Sequence, residues 1–191
     1  MCGILGGTSP KIKKKEDIAL MLGALKHRGP DGDGVFFDKK NKIFLGHHRL
    51  SIIDLSSKAS QPMRITTKNK QECIITFNGE IYNYKEIRAE LESKGYKFKS
   101  DSDTEVVLNS YLEWGTSCVE KFRGMFAFGI WDEAKKKIIL ARDRFGVKPL
   151  YYYFGGEDFI FASELKAIYE FSNFHKEIDL EALPLYFHFG Y

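Results

Sequence analysis

Apolar positions along this chain follow two spacings. Ile18, Leu22 and Leu25 recur at helical intervals, and turn residues from His27 through Gly32 then break the pattern. Tyr84, Ile87 and Leu91 make a second helical stripe that stops at Gly95, and residues 104–114 make a third with Val107, Leu108 and Tyr111 on its buried side. The remaining apolar runs are short and β-rich. Residues 2–7 form one, ended by Gly6-Gly7. Residues 35–37 and 43–45 flank a turn at 38–41 as a hairpin. Residues 73–77 form another, stopping at Asn78-Gly79. Residues 126–132 and 137–143 pair across a charged turn, and 150–154 pair with 159–162 across Gly155-Gly156. Strands that come as hairpins disfavour a doubly wound parallel sheet. The pattern predicts an α+β protein: two packed antiparallel sheets with helices outside, in a single domain without repeats or linkers.

Composition narrows the classes. With 16 Phe, 10 Tyr and 2 Trp in 191 residues the chain needs a large interior, which excludes disorder. Charge is close to balanced, 29 Lys+Arg against 26 Asp+Glu, so neither nucleic acid nor a membrane surface is the expected partner. The lysine-rich run 11–15 reads as a solvated lead-in to the first helix. Three widely spaced cysteines give no disulfide framework, and no signal peptide or membrane span is legible. A reducing, cytoplasmic setting is the expectation.

Metal and nucleotide chemistry find no site. There is no C-x-x-C, the five histidines lack zinc spacing, and Asp31-Gly-Asp33-Gly fails as a calcium loop at Val35 and Lys42. No phosphate loop and no G-x-G-x-x-G occur. The local oddity is Cys2. If Met1 is removed, thiol and α-amine share one residue, and an amine titrating near ~8 is a usable base. Taken alone, such a residue is more often a small buried hydrophobe. Asn78-Gly79 offers a side-chain amide beside an unobstructed N–H, as an oxyanion hole requires, and also suits a plain hairpin turn. Arg49, after a strand, can grip a carboxylate or form a surface ion pair. Asp103, ahead of a helix, can be a cap and nothing more.

Taken together, these segments resemble the glutaminase domain of class II, N-terminal-nucleophile glutamine amidotransferases, and most of all that of the glutamine-dependent asparagine synthetases. The likeness lies in Met-Cys-Gly-Ile-Leu-Gly at 1–6, His-Arg-Gly-Pro-Asp at 27–31 and Gly-His-His-Arg-Leu-Ser-Ile-Ile-Asp at 46–54. It continues through Gln61-Pro62-Met63, Phe-Asn-Gly-Glu-Ile-Tyr-Asn at 77–83 and Ser-Asp-Thr-Glu at 102–105. Arg-Gly-Met-Phe-Ala-Phe at 123–128, the twelve residues 141–152 and Ala-Ser-Glu-Leu-Lys-Ala at 162–167 complete it.

The resemblance implies a four-layer αββα fold and hydrolysis of L-glutamine to glutamate and ammonia. It implies Cys2 as nucleophile with its own α-amine as base, and Asn78 and Gly79 as the oxyanion hole. Arg49 would hold the substrate carboxylate, with Leu50, Ser51, Ile52 and Ile53 beside it, and Asp103 with Glu80 would hold the α-ammonium. Asp101 competes for the last role, and the following Thr-Glu favours Asp103. No cofactor is implied within residues 1–191. ATP and magnesium belong to a synthetase domain that such enzymes carry further on. That domain, converting aspartate to asparagine or else serving a different amide- or amine-forming synthesis, is the implied partner, and residues 183–191 look like the lead-in to it. Self-association as a homodimer is left open. A domain that keeps the fold only to dock a synthetase is disfavoured by the intact set Cys2, Arg49, Asn78, Gly79 and Asp103.

Overall fold

The computed structural model describes residues 1–51, 53–67 and 72–190. In chain order its strands are β1 (Gly3–Thr8), β2 (Gly32–Asp38), β3 (Ile43–Arg49), β4 (Met63–Thr66), β5 (Glu72–Ile81), β6 (Gly124–Asp132), β7 (Lys137–Arg142), β8 (Tyr151–Gly155) and β9 (Asp158–Ala162). The α-helices are α1 (Lys15–Gly23), α2 (Tyr84–Ser93), α3 (Asp103–Trp114), α4 (Leu165–Tyr169) and α5 (Leu183–Phe189). The strands form two sheets, β2-β3-β1-β9-β8 and β4-β5-β6-β7. Every pairing recorded between them is antiparallel.

Strand alternation explains why two sheets need four layers. In β1, Ile4 faces the space between the sheets while Leu5 faces outward. In β3, Ile43 and Leu45 point inward and Phe44 outward; in β5, Ile74 points inward, Cys73 and Ile75 outward. Both faces of each sheet are therefore apolar, and each outer face demands a cover. Helices α1 and α4 supply it for the first sheet through Ile18, Met21, Leu22 and Ile168. Helices α2 and α3 supply it for the second through Ile87, Leu91, Val107 and Leu108. The result is the expected order helix, sheet, sheet, helix. Phe161 fills the middle layer, and it fits only because Gly6 and Gly129 oppose it. A Cβ on either would lie within 2.6 Å of its ring.

Three readings from the sequence need correction. Strand β5 does not stop at Asn78-Gly79 but runs through to Ile81, pairing Asn78 with Ala127 and Gly79 with Phe126. Asn-Gly makes no turn here, because β6 supplies a long partner that overrides local turn preference. Asp103 is the first residue of α3, not its cap; Ser102 is the cap, its hydroxyl accepting from Thr104 N–H at 3.2 Å. Arg49 is the last residue of β3 rather than a residue following it. Strand β4 and helices α4 and α5 carry no clear periodic signal, since each has seven residues or fewer. Among the described residues no helix is long and apolar enough to cross a membrane.

Candidate active site

Cys2 stands immediately ahead of β1, whose first residue pairs with His48 of β3. Its backbone is held by Arg28, whose Nε donates to the Cys2 carbonyl at 2.9 Å while Nη1 donates to Glu164 at 2.8 Å. Burial pushes the Glu164 carboxyl up, but hydrogen bonds from Arg28, Lys166 and His27 outweigh it and hold it at about 2. Glu164 is thus a fixed anion anchoring the arginine that anchors Cys2. The Cys2 thiol donates to the Leu50 carbonyl at 3.6 Å and accepts from Leu50 N–H at 3.4 Å. Burial pushes its pKa above the ordinary thiol value, more strongly than Leu50 and the neighbouring positive charges pull it down. At neutral pH Cys2 is a thiol and needs a base to attack.

Opposite Cys2 lies the edge of β5. Strand β4 pairs with β5 only from Glu72 to Ile75, so further along that edge the main-chain groups have no strand partner. Tyr82 N–H donates to Arg123 O, which fixes the even residues of β5 as those bonded to β6 and turns the odd ones toward the bare edge. Side chains fill most of it. Phe77 N–H donates to Gln61 Oε1 at 2.7 Å, and Ile81 N–H donates to Asp103 Oδ2 at 3.0 Å. Between them the Gly79 N–H faces a cavity of about 100 Å3 that Cys2, Asn78 and Gly79 line together. Asn78 is 1% exposed, and its Nδ2 has no hydrogen-bond partner among the described residues. A buried amide donor left unpaired costs free energy, and at a site that cost is recovered when a ligand arrives. Gly79 admits no side chain: a Cβ would sit 2.4 Å from Met125 O and 2.7 Å from Phe126 Cα. Gly79→Ala is therefore expected to prise β5 from β6 at the site, cutting turnover and stability together, read by assay and thermal melt. An alanine variant with wild-type values of both would show the close approach to be unimportant.

The rest of the wall carries charge. The Arg49 guanidinium donates to the Ser56 carbonyl at 3.0 Å and to the Asp54 carbonyl, not to a carboxylate, so the surface ion pair does not form. Three of its five N–H groups remain for a ligand. Asp103 is 4% exposed. Burial raises its carboxyl to about 6, aided by the nearby Glu80 charge and opposed by bonds from Ile81 and Thr104. Asp101 instead lies out in solvent, paired with Arg88. Ser51 is fixed through its N–H to Asp31 at 2.8 Å, and Leu50, Ser51, Ile53 and Glu80 all line the cavity. Ile52 lies outside the described residues.

Sequence reading missed several residues here. Lys148 lines the cavity at 6% exposure, its Nζ 3.4 Å from the Met1 sulfur. It is delivered by a loop that Asp143 organises, accepting N–H bonds from Phe126, Phe145, Val147 and Lys148. Arg28, Gln61 and His47 also reach the site's frame. Only their place in quoted motifs marked them. Among the described residues no group of three or more His, Cys, Asp or Glu could hold a metal ion.

Two facing antiparallel sheets, each covered by helices, with Cys2 just ahead of the central strand β1, make a four-layer αββα sandwich. A solved glutamine phosphoribosylpyrophosphate amidotransferase from B. subtilis shares it, with a TM-score of 0.75 at 22% identity over 89% of this chain and 43% of that one. Residues 1–191 match the glutamine amidotransferase domain family, and the chain belongs to it. Asparagine synthetase [glutamine-hydrolyzing] 1 and 3 of Bacillus subtilis are 43% and 39% identical over the whole chain. The chain spans about a third of the length of these relatives, 30% and 31%.

Proposed function

We propose that this domain hydrolyses L-glutamine to L-glutamate and ammonia through a Cys2 thioester. The observation that carries the reading is the convergence of the Cys2 thiol, the unpaired Asn78 amide and the Gly79 N–H on one small cavity. Arg49 and Asp103 add opposite charges on its wall, suited to the two ends of a zwitterionic amino acid. Once Met1 is removed, the Cys2 α-amine takes the thiol proton, through a water, as sulfur attacks the γ-carboxamide carbon. The oxyanion accepts from Asn78 Nδ2–H and Gly79 N–H. Collapse breaks the C–N bond, the proton passes to the leaving nitrogen, and ammonia departs. Water then adds to the thioester, and a second oxyanion collapses to glutamate and free thiol. The names of the relatives support a further step, delivery of the ammonia to an ATP-dependent synthetase domain that makes asparagine from aspartate.

The test is glutamate and ammonia release by chain whose Met1 has been removed, with glutamine as the only substrate. Stoichiometric release supports the reading, and none overturns it. Asn78→Ala is expected to lower kcat by roughly 10²–10³ with little change in KM, the usual effect of deleting one oxyanion donor. A change confined to KM would place Asn78 outside the hole. Arg49→Ala should raise KM chiefly, because the carboxylate it would hold does not react. Asp103 gives a pH signature. Its carboxyl titrates at about 6, above the ordinary carboxylate value, so it is charged above that pH and neutral below. Glutamine binding to the Cys2→Ala variant, where no base is needed, should therefore weaken as pH falls through about 6. A dissociation constant flat across that range would remove Asp103 from the ammonium site.

A further inference from the structure

The bare edge of β5 exposes a carbonyl as well as N–H groups. In an antiparallel strand the N–H and C=O of one residue point the same way, so Phe77 O leaves the sheet beside the Phe77 N–H that Gln61 accepts. Its partner comes from the other sheet. His47, in β3 and 0% exposed, places Nε2 3.2 Å from Phe77 O. A carbonyl only accepts, so Nε2 carries the hydrogen. Burial, more than the nearby His48 and Arg49, drives the His47 pKa down to about 3, the bond to Phe77 opposing it, so the ring is neutral and Nδ1 carries no hydrogen. Nδ1 indeed has no partner among the described residues. The molecule thus buries a polar ring, half-satisfied, beside an apolar layer where a leucine would pack without that cost.

We propose that His47 is a positioning residue of the glutaminase site: by donating from Nε2 to Phe77 O it fixes the Phe77–Asn78 peptide plane and so aims the Asn78 amide at the oxyanion. The peptide whose carbonyl His47 holds is the one whose nitrogen belongs to Asn78. The N–H side of that peptide belongs to the pairing of Asn78 with Ala127 in β6, so a carbonyl left without His47 would let residue 78 shift in its seat, and a small displacement is enough to misaim Nδ2. Gln61 steadies the N–H side of Phe77 and is itself braced by Nε2 donating to Thr104 Oγ1 at 3.1 Å. His47 supplies the matching hold on the carbonyl side, and does so across the sandwich, locking β5 to β3, the strand that ends in Arg49. No other polar side chain is recorded at Phe77 O among the described residues.

This inference rests on the glutaminase reading above, and the experiment separates the two. Three variants are compared in Met1-processed chain: His47→Gln, whose amide nitrogen lies where Nε2 was; His47→Asn, whose amide is too short to reach Phe77 O; and His47→Leu, which fills the space with no donor. Each is assayed for kcat and KM on glutamine, and for affinity toward the aldehyde analogue of glutamine. That aldehyde adds the Cys2 thiol to its carbonyl carbon, placing the resulting oxygen in the oxyanion hole. Asn and Leu are expected to lose roughly tenfold to a hundredfold in kcat with KM within about twofold, the scale of an ångström-sized misplacement. Their aldehyde affinity should fall in parallel, while glutamate, which makes no tetrahedral centre, binds as before. Gln should restore both kcat and aldehyde affinity. A wild-type chain without glutaminase activity takes down both readings. An active wild type with folded Asn or Leu variants of unchanged kcat overturns the His47 assignment alone. So does a loss confined to KM, or a folded Gln variant no better than Leu.

Discussion

Cys2→Ala is expected to abolish glutamine hydrolysis, by at least roughly 10⁴-fold, while leaving the fold and glutamine binding in place. Cys2 sits before β1 rather than inside it, and its side chain is recorded in hydrogen bonds only to the main chain of Leu50. Truncating it creates no core cavity, so the change in stability should lie within about 1 kcal/mol. Arg28 still grips the residue-2 carbonyl, and Arg49 and Asp103 still line the wall. Loss of turnover with retained binding, measured by ammonia release and calorimetry, is the pattern expected of a nucleophile. Ammonia release persisting in the alanine variant would place the reacting atom elsewhere.

Keeping Met1 should be nearly as damaging. With Met1 in place the Cys2 nitrogen is an amide, which has no basic lone pair, and the thiol, pushed up by burial, is left without a proton acceptor. Met1 also lines the same cavity, its sulfur beside Lys148 Nζ, and so takes up space that the proposed substrate needs. Activity is therefore expected to track the fraction of molecules lacking Met1, read by intact mass beside the assay. A sample that wholly retains Met1 yet turns over normally would remove the α-amine from the mechanism.

The layers were legible because period-2 and period-3.6 patterns report which faces are buried, and here every long element has such a face. What the patterns could not report was where a strand ends when its partner lies fifty residues on. Asn78-Gly79 carries strong local turn chemistry, and only the pairing with β6 shows it to be strand interior. Asp103 was legible as a charged residue at a helix start, but its bond to Ile81 N–H across the site was not. His47, Gln61 and Lys148 were invisible as site residues for a shared reason. His47 and Gln61 meet main-chain groups of Phe77, and Lys148 reaches the cavity wall, through contacts made only by the fold, and one residue type at one position has no spacing rule to betray it.

Strand β4 has four residues beside the ten of β5. Sheets ordinarily protect unpaired margins, because an open row of donors and acceptors invites another chain to zip on and aggregate. In this protein the margin past Met63 is left open: fixed side chains occupy the flanking positions, and the Gly79 N–H between them faces the cavity, available to the proposed oxyanion. The shortness of β4 is thus a condition of the catalysis proposed here. Extending it by four residues, to bring residue 59 opposite Gly79, would make the sheet more regular, yet it would pair away the Gly79 N–H and is expected to silence the domain while making it, by ordinary measures, a better-formed protein.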